Sequence, residues 1–372
     1  MDIRIHAGNL KTGSTSIQGF LRQNLAALNA SGQIYIPALT QNPAAHATLA
    51  RQLGAEESLR EKNPNWDQIR NEILVEAAST VPILLTNEIF IRVPAQRLKD
   101  RLDSLFGKPE VHLYFYLRPH IEMVTASYLQ EIKTGFLRAR LPRVINKLLT
   151  RREIDFCPVI EEFKAVFGAG HVHCRDYARE HFPSGNVLQD IPDFFKLPVL
   201  GDPALVAPSG MQNISPGAEA AALLLHLRQF LPEAPERNAY LRFRDLVFNP
   251  LNVALALHLA PGYVTRCLPP VGMQARIKEQ FEPGRQALAR RFDMQPLSAK
   301  WCDEPFRRPE TPKNPPLALV QSAIAQVVER LEMKQSGLYT PLLRKVVETL
   351  PAEQEGGVTV VSLERLRPLR HQ

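Results

Sequence analysis

The sequence contains few cysteines and no long apolar run. Four cysteines occur among 372 residues, far apart at Cys157, Cys174, Cys267 and Cys302. No two of them form a CxxC pair, so the pattern predicts neither a structural zinc site nor a disulfide framework. No stretch approaches the ~18 consecutive apolar residues of a membrane span, and the chain begins on a strand-like stretch instead of a basic and then apolar leader. We therefore expect a cytoplasmic protein without a transmembrane segment.

An excess of acidic residues is also lacking. The 45 Lys and Arg residues outnumber the 38 Asp and Glu residues, which gives a formal net charge of +7. That balance suits an anionic partner such as a nucleotide, an acidic glycan, a nucleic acid or an anionic membrane surface. Because the basic residues are not interleaved with aromatic residues that could stack on bases, nucleic acid is the least favoured of these, and we expect none.

The first 200 residues alternate short apolar runs with segments of helical periodicity. This order is typical of a mainly parallel sheet that helices cover. We therefore predict an α/β fold, a three-layer sandwich around a central, mainly parallel sheet. The predicted strands are Ile3–His6, Ile34–Ile36, Ile83–Thr86, Val111–Leu117 and Val172–Cys174, and the predicted helices are Ser14–Asn29, Trp66–Ser79, Pro94–Phe106, Pro119–Lys133 and Phe156–Phe167.

Beyond residue 200 the pattern is weaker, because most of the 31 prolines lie there and interrupt it. We predict an α/β core at residues 1–200 and a mainly helical extension at 201–372 that packs on it. A proline-rich segment at 305–316 is interpreted as a linker or surface strap. The predicted helices of the extension are Ser215–Leu231, Leu241–His258, Val271–Arg291 and Leu317–Met333.

The strongest local pattern is a strand that passes through a loop of small residues into a helix, between Ile3 and Gln18. Such a loop directs backbone N–H groups and a helix N-terminus at one point, which makes a phosphate site. Gly8 and Gly13 allow the backbone to approach a ligand closely, and Lys11 adds a full positive charge. The first helical turn adds the hydroxyl groups of Ser14, Thr15 and Ser16.

The spacing of Gly8 and Gly13 is that of a Walker A motif, but Lys11 lies inside the loop and Ser14 follows the second glycine. An ATP or GTP loop is therefore a poor match. The order Lys-Thr-Gly-Ser-Thr-Ser instead resembles the 5′-phosphosulfate loop of the sulfotransferase family, particularly its bacterial members. The resemblance implies a P-loop-like fold that binds 3′-phosphoadenosine-5′-phosphosulfate (PAPS) without a metal. It assigns cofactor binding to Lys11, Thr12, Gly13, Ser14, Thr15 and Ser16.

A second resemblance concerns the nucleotide's 3′-phosphate. In the family a strand ends in arginine, and a serine on the next helix completes this site. Arg118 follows the run Tyr114-Phe-Tyr-Leu and suits the role, because a guanidinium group binds phosphate oxygens in pairs. The family's serine usually falls eight residues after the arginine, where this chain has Ala126. Ser127 is therefore the candidate, with Thr125 or a backbone group as the alternative.

The resemblance also requires a general base, because a neutral hydroxyl is a weak nucleophile. Glu88 follows the strand Ile83–Thr86, and Thr86-Asn87-Glu88 resembles the family's base-bearing sequence at this place. His46 is the competing base, since histidine fills that role in other branches of the family. His6, at the end of the first strand, is interpreted as a residue that packs or braces the loop.

These expectations describe a PAPS-dependent sulfotransferase, which would release 3′,5′-adenosine bisphosphate (PAP). Lys11 and Glu88 or His46 are the candidate catalytic residues. The acceptor is a hydroxyl or an amine of open class, with a carbohydrate or another hydroxyl compound favoured. Two alternatives remain: a P-loop nucleotide or small-molecule kinase, which would need magnesium and Walker A lysine placement, and a nucleotide-binding protein of the same fold that does no chemistry.

Overall fold

The computed structural model describes residues 1–9, 12–38, 46–55, 65–77, 80–133, 140–207, 217–228, 243–259, 267–291, 313–333, 339–363 and 365–366. Its strands are β1 Asp2–His6, β2 Ile83–Thr86, β3 Glu110–Leu117, β4 Val172–Asp176, β5 Ala352–Glu355 and β6 Val358–Val361. Its helices are α1 Ser14–Gln23, α2 Leu25–Ala30, α3 Ala47–Ala50, α4 Asn65–Glu76, α5 Ala95–Phe106, α6 His120–Lys133, α7 Leu141–Leu149, α8 Phe156–Phe167, α9 Val187–Phe194, α10 Ala218–Arg228, α11 Asn249–Leu259, α12 Val271–Arg291, α13 Leu317–Met333 and α14 Thr340–Thr349.

The chain divides into two compact units, and neither is a single stretch of sequence. The first unit contains Met1–Met123, Leu149–Gln212 and Lys278–Glu304. The second contains Val124–Leu148, Asn213–Ile277 and Pro305–Gln372. The predicted division at residue 200 differs from these units in three places, since residues 124–148 belong to the second unit and residues 201–212 and 278–304 belong to the first.

The first unit is built on a four-stranded sheet with the order β2-β1-β3-β4. All three strand pairings are parallel. The carboxyl ends of the four strands therefore meet at one edge of the sheet and the amino ends at the other. These are called the carboxyl edge and the amino edge below.

Buried apolar side chains cover both faces of this sheet. On one face Ile3, Ile5 and Phe115 pack with residues of α3, α4, α5 and α8. On the other face Leu84, Tyr114 and Tyr116 pack with residues of α1, α2 and α9. Strand β3 supplies both cores because its side chains alternate between the faces. The predicted α/β fold with a parallel sheet between helical layers is confirmed.

One predicted strand does not form. In the segment 34–36 only Tyr35 pairs with the sheet, through its N–H to Pro82 O at 2.9 Å and its carbonyl to Leu84 N at 2.9 Å. The side-chain amide of Asn29 bonds instead to both backbone groups of Ile36, at 2.8 and 3.0 Å. Since a side chain satisfies these groups and Pro37 has no N–H to offer, the ladder ends after one residue.

The second unit combines helices with a hairpin that the sequence analysis did not predict. Strands β5 and β6 pair in antiparallel fashion around Gly356 and Gly357, whose φ angles are 56° and 83°. A two-residue turn with both φ angles positive is the type that Gly-Gly permits, so the Gly356-Gly357 pair is a local sequence signal for this hairpin. Helices α12 and α13 have the bounds predicted for them. Of the predicted strap 305–316, only residues 313–316 are described. No helix in the described part of the chain has both the length and the apolar character needed to cross a lipid bilayer.

Candidate functional site at the carboxyl edge

The loop between β1 and α1 ends in a left-handed glycine. Gly13 has a φ of 77° and is the N-cap of α1, and its carbonyl accepts hydrogen bonds from Ser16 N at 2.9 Å and Ile17 N at 3.0 Å. Because Gly13 has no side chain, it provides no side-chain cap for the N–H groups of the first helical turn. An uncapped helix N-terminus attracts anions. Lys11 lies outside the described residues, so its prediction is not tested.

There is no room for a side chain at Gly13. A Cβ atom there would lie 2.9 Å from Cε2 and 3.0 Å from the hydroxyl oxygen of Tyr177, and 3.2 Å from Val187 Cγ1. The Tyr177 ring is held in place by edge contacts with Tyr116 and Phe182. The backbone of the loop therefore approaches its neighbours as closely as only glycine allows.

The hydroxyl groups around the loop have different surroundings. The buried Thr12 hydroxyl donates to Asn9 O and accepts from Asn9 N at 3.2 Å, so it closes the loop on itself. Ser14 is buried, Ser16 is half-buried and Thr15 is exposed. The geometry thus gives Thr12 a bracing role in the loop, whereas Ser16 and Thr15 are the hydroxyl residues open to solvent.

His6, the last residue of β1, packs against the loop between β1 and α1. Its ring is fully buried, Nδ1 lies 2.9 Å from Thr86 Oγ1, and the ring packs on Phe195. Burial lowers the pKa of His6 to about 3, so the ring is neutral. Nε2 has no hydrogen-bond partner among the described residues, and it lies 3.1 Å from the position a Cβ of Gly8 would take. This is the packing and bracing position that the sequence predicted for His6.

His46 is fixed by bonds to the backbone at both ring nitrogens. Thr86 N donates to Nδ1 at 2.9 Å, and Nε2 therefore carries the proton and donates to Pro37 O at 3.1 Å. The side chain is fully buried, and burial lowers its pKa to about 4. A general base needs a free lone pair within reach of the substrate. In this geometry the Nδ1 lone pair of His46 is already occupied by Thr86.

Glu88 lies immediately after β2, in the first turn of a short 3-10 helix. Asn87 caps that helix by accepting a hydrogen bond from Ile89 N at 2.9 Å, and its own N–H donates to His6 O at 3.0 Å. The half-buried Glu88 carboxylate accepts a hydrogen bond from Gln18 Nε2 at 3.1 Å. Gln18 lies one turn into α1, so this hydrogen bond joins α1 to the predicted base. The sequence analysis assigned no role to Gln18.

Arg118 follows the last residue of β3, on the other side of β1 from Glu88. Its Nε donates to Glu122 Oε2 at 2.7 Å, and both side chains are partly exposed. An exposed ion pair of this kind contributes only about 0–1 kcal/mol. A guanidinium group also binds phosphate oxygens in pairs, which is the role predicted for Arg118.

Ser127 lies nine residues after Arg118, on the part of α6 that belongs to the second unit. Its hydroxyl is buried and has no hydrogen-bond partner among the described residues. Thr125 and Ala126 are also buried. The choice between Ser127 and Thr125 stays a prediction.

A polar network joins β3 and the end of β4 to α9. The Tyr116 hydroxyl donates to Asp190 at 2.6 Å, and Arg175 bonds Asp190 at 2.7 Å and Asp193 at 2.8 Å. Because hydrogen bonds with charged groups are stronger than neutral ones, this network holds α9 against the sheet. It thereby supports Val187, which packs beside Gly13.

Comparisons with known proteins add little. No protein-family model matches this chain. No curated protein matches it either. A sulfotransferase from Alicyclobacillus acidocaldarius is structurally similar, with 15% sequence identity and a TM-score of 0.40 over 57% of this chain and 87% of that one. A likeness at this level does not identify what the chain does.

Proposed function

We propose that this chain is a PAPS-dependent sulfotransferase that transfers a sulfuryl group to a hydroxyl compound. The observation that supports it best is the order of groups along the carboxyl edge. The glycine loop and uncapped N-terminus of α1 follow the inner strand β1, the carboxylate of Glu88 follows β2 on one side, and the guanidinium group of Arg118 follows β3 on the other. Parallel strands place such groups where α/β proteins bind ligands.

In this proposal the two phosphate-bearing ends of PAPS bind to different elements. The 5′-phosphosulfate lies at the N-terminus of α1, where the N–H groups of the first helical turn bind it, and Lys11 is the cation predicted to join them. Arg118 binds the 3′-phosphate through its guanidinium group. The absence of Cβ atoms at Gly8 and Gly13 lets the loop pack closely against His6 and Tyr177.

The transfer is an in-line displacement at sulfur. The acceptor oxygen forms a new bond to sulfur while the bond from sulfur to the bridging oxygen of the 5′-phosphate breaks. The acceptor's proton moves to the Glu88 carboxylate, and the bonding electrons remain on the departing phosphate of PAP. Lys11 and the helix N-terminus stabilise the negative charge that grows on this leaving group.

Glu88 is preferred to His46 as the base because of the bonds each one makes. Glu88 is half-buried, and its described hydrogen bond comes from one donor, Gln18, which leaves carboxylate lone pairs for a proton. His46 uses one ring nitrogen to accept from Thr86 and the other to donate to Pro37. Its place in the proposal is to hold the end of β2, from which Glu88 extends.

Calorimetric titration with PAP in magnesium-free buffer tests the cofactor site. We expect micromolar binding by the unmodified protein, with Lys11→Ala and Arg118→Ala each weakening it about a hundredfold, or roughly 2.7 kcal/mol. Arg101→Ala is the matched control. Arg101 lies on α5 and pairs with Asp67 of α4 across 3.7 Å, so its replacement removes the same charge from a surface ion pair. No PAP binding, together with magnesium-dependent binding of ATP, would overturn the proposal and favour a kinase.

A further inference from the structure

Four metal-ligating side chains gather at the amino edge of the sheet. Glu110 is the first residue of β3, and His112 stands two residues later, so both project from the same face. His171 directly precedes β4, and His173 lies within it. Leu113 pairs with Val172 and Tyr114 with His173, which brings the two histidines of β3 and β4 side by side on that face.

Three of these side chains present ligand atoms to one another. Glu110 Oε1 lies 3.1 Å from His112 Nε2 and 3.8 Å from His171 Nε2. One ligand atom from each of the three residues lies within 4.8 Å of the other two. Around a tetrahedral zinc ion, ligand atoms ~2.0–2.1 Å from the metal stand ~3.3 Å apart. A small movement of the His171 side chain, which is 40% exposed, would reach that spacing.

The fourth side chain orients the central ligand. His112 Nδ1 lies 3.3 Å from His173 Nε2, and the His173 ring stacks on the buried ring of Tyr114 with centroids 4.8 Å apart. Histidines that bind metals usually hydrogen-bond through their other ring nitrogen, which fixes the ring and its tautomer. When His112 donates from Nδ1 to His173, its Nε2 lone pair faces the Glu110 carboxylate at 3.1 Å. In that tautomer Nε2 and the carboxylate can bind one metal ion together, whereas a proton on Nε2 would make a hydrogen bond to Glu110 in its place.

Lys196 and Arg4 are the positive charges that act on His173, and that of Arg4 is paired with a carboxylate. Arg4 of β1 stands beside His112 in the sheet register. Its guanidinium group bonds Asp2 at 2.8 Å and the backbone carbonyls of Phe195 and Lys196. Arg4 is therefore turned to these partners, and Asp2 offsets its charge.

We infer that Glu110, His112 and His171 form a binding site for one divalent transition-metal ion of the zinc type, with His173 as a positioning residue. Two imidazole nitrogens and a carboxylate suit Zn²⁺, whereas Mg²⁺ and Ca²⁺ prefer an all-oxygen set. The fourth coordination position faces solvent, because the Glu110 side chain is 62% exposed. The ion would join the amino ends of β3 and β4 as a staple. The length of β3, ~26 Å at 3.3 Å per residue, separates it from the proposed PAPS site.

Calorimetric titration with Zn²⁺ tests this inference, using untagged full-length protein in excess Mg²⁺. We expect one saturable Zn²⁺ per chain and a higher melting temperature that a chelator reverses. Glu110→Gln, His112→Gln and His171→Gln should each weaken binding at least tenfold, and the double histidine variant should abolish it. His173→Phe keeps the stacking on Tyr114 but removes the acceptor, so it should weaken binding about tenfold without changing the stoichiometry.

His258→Gln is the control, because it removes a histidine of α11 that faces Gln326 instead of a carboxylate. Equal Zn²⁺ affinity in the unmodified protein and the double variant, or equal weakening by His258→Gln, would overturn the inference. Circular dichroism of each variant confirms that the fold persists. PAP binding is measured in the same samples, and it should be unchanged by Zn²⁺ or chelator. Failure of the metal site and failure of the proposed function are therefore separate results.

Discussion

The two edges of the parallel sheet present opposite chemistry to solvent. The carboxyl edge has a glycine loop, an uncapped helix N-terminus and an arginine, all of which suit an anion. The amino edge has a carboxylate and imidazole nitrogens, which suit a cation. The difference shows how one set of strands can present two kinds of chemistry. Parallel strands collect loops and helix starts at one edge, while the other edge depends on what its first residues carry.

The same contrast applies to histidine. At the carboxyl edge His6 and His46 are fully buried, and they contact Thr86 from two sides. At the amino edge the side chains of His112 and His171 are partly exposed and meet a carboxylate. A buried neutral imidazole braces backbone and side chains, whereas an exposed one keeps a lone pair for a ligand.

The largest effect is expected at Glu88. Glu88→Gln keeps an oxygen that can accept from Gln18 but cannot take a proton, so sulfuryl transfer from PAPS should fall about 10²–10⁴-fold. PAP binding should stay within about twofold, because the loop and Arg118 are untouched. Release of PAP from PAPS, measured over a panel of hydroxyl acceptors, checks both expectations.

Asp67→Asn provides the control for Glu88→Gln, since this α4 carboxylate is 63% exposed and pairs only loosely with Arg101. It should leave transfer unaltered. If Glu88→Gln transfers sulfuryl groups at the unmodified rate, the base is elsewhere. In that case the carboxyl edge would supply groups for binding the nucleotide but not the general base.

The buried histidines should make folding stability depend on pH. Burial lowers the pKa of His6 to about 3 and of His46 to about 4, from an ordinary value of 6.5. Unfolding therefore takes up protons between about pH 4 and 6.5. Their contribution to stability is complete above pH 6.5 and is lost as the pH falls, at about 1.4 kcal/mol per pH unit for each histidine within its window.

Urea unfolding at several pH values measures this slope. His6→Gln and His46→Gln should each flatten it. Thr86→Val should lower stability without flattening the slope, because it removes the partner of His6 but leaves both histidines in place. Part of the slope should remain, because burial also lowers the pKa of His120 and of His173. A slope that is unchanged after both replacements would contradict the prediction.

The smallest effect concerns the close approach at Gly13. Gly13→Ala should destabilise the fold by about 1–2 kcal/mol for its left-handed backbone, and by a further amount because the Cβ would meet Tyr177 at 2.9 Å. Gly107→Ala is the matched control, since its φ is 67° but nothing lies within 4 Å of the added atom. Thermal unfolding of both variants checks the difference, and equal losses would mean that Tyr177 yields. Gly13→Ala should also weaken PAP binding, whereas Gly107→Ala should not.

Regular elements of the first unit were predictable because their signals are local. Helix α8 has the predicted bounds, and four of the five predicted strands form. The predicted helix Ser14–Asn29 is interrupted at Asn24, whose side chain bonds Val206 at 2.9 Å through both its oxygen and its nitrogen. That bond spans 182 residues, so no local pattern could have indicated it.

The sequence by itself determined the glycine loop, the strand ends that carry Glu88 and Arg118, and the run without polar-apolar alternation that is buried on both faces in β3. Each depends on residues a few positions apart, whose spacing sets periodicity, turn geometry and face. Only the tertiary structure decided that the Thr86 N–H group bonds to Nδ1 of His46 and that Gln18 bonds to Glu88. It also decided that His171 lies beside Glu110 and His112. Those contacts join residues 40 to 70 positions apart, and they depend on strand order and register, which are set by packing of the whole core.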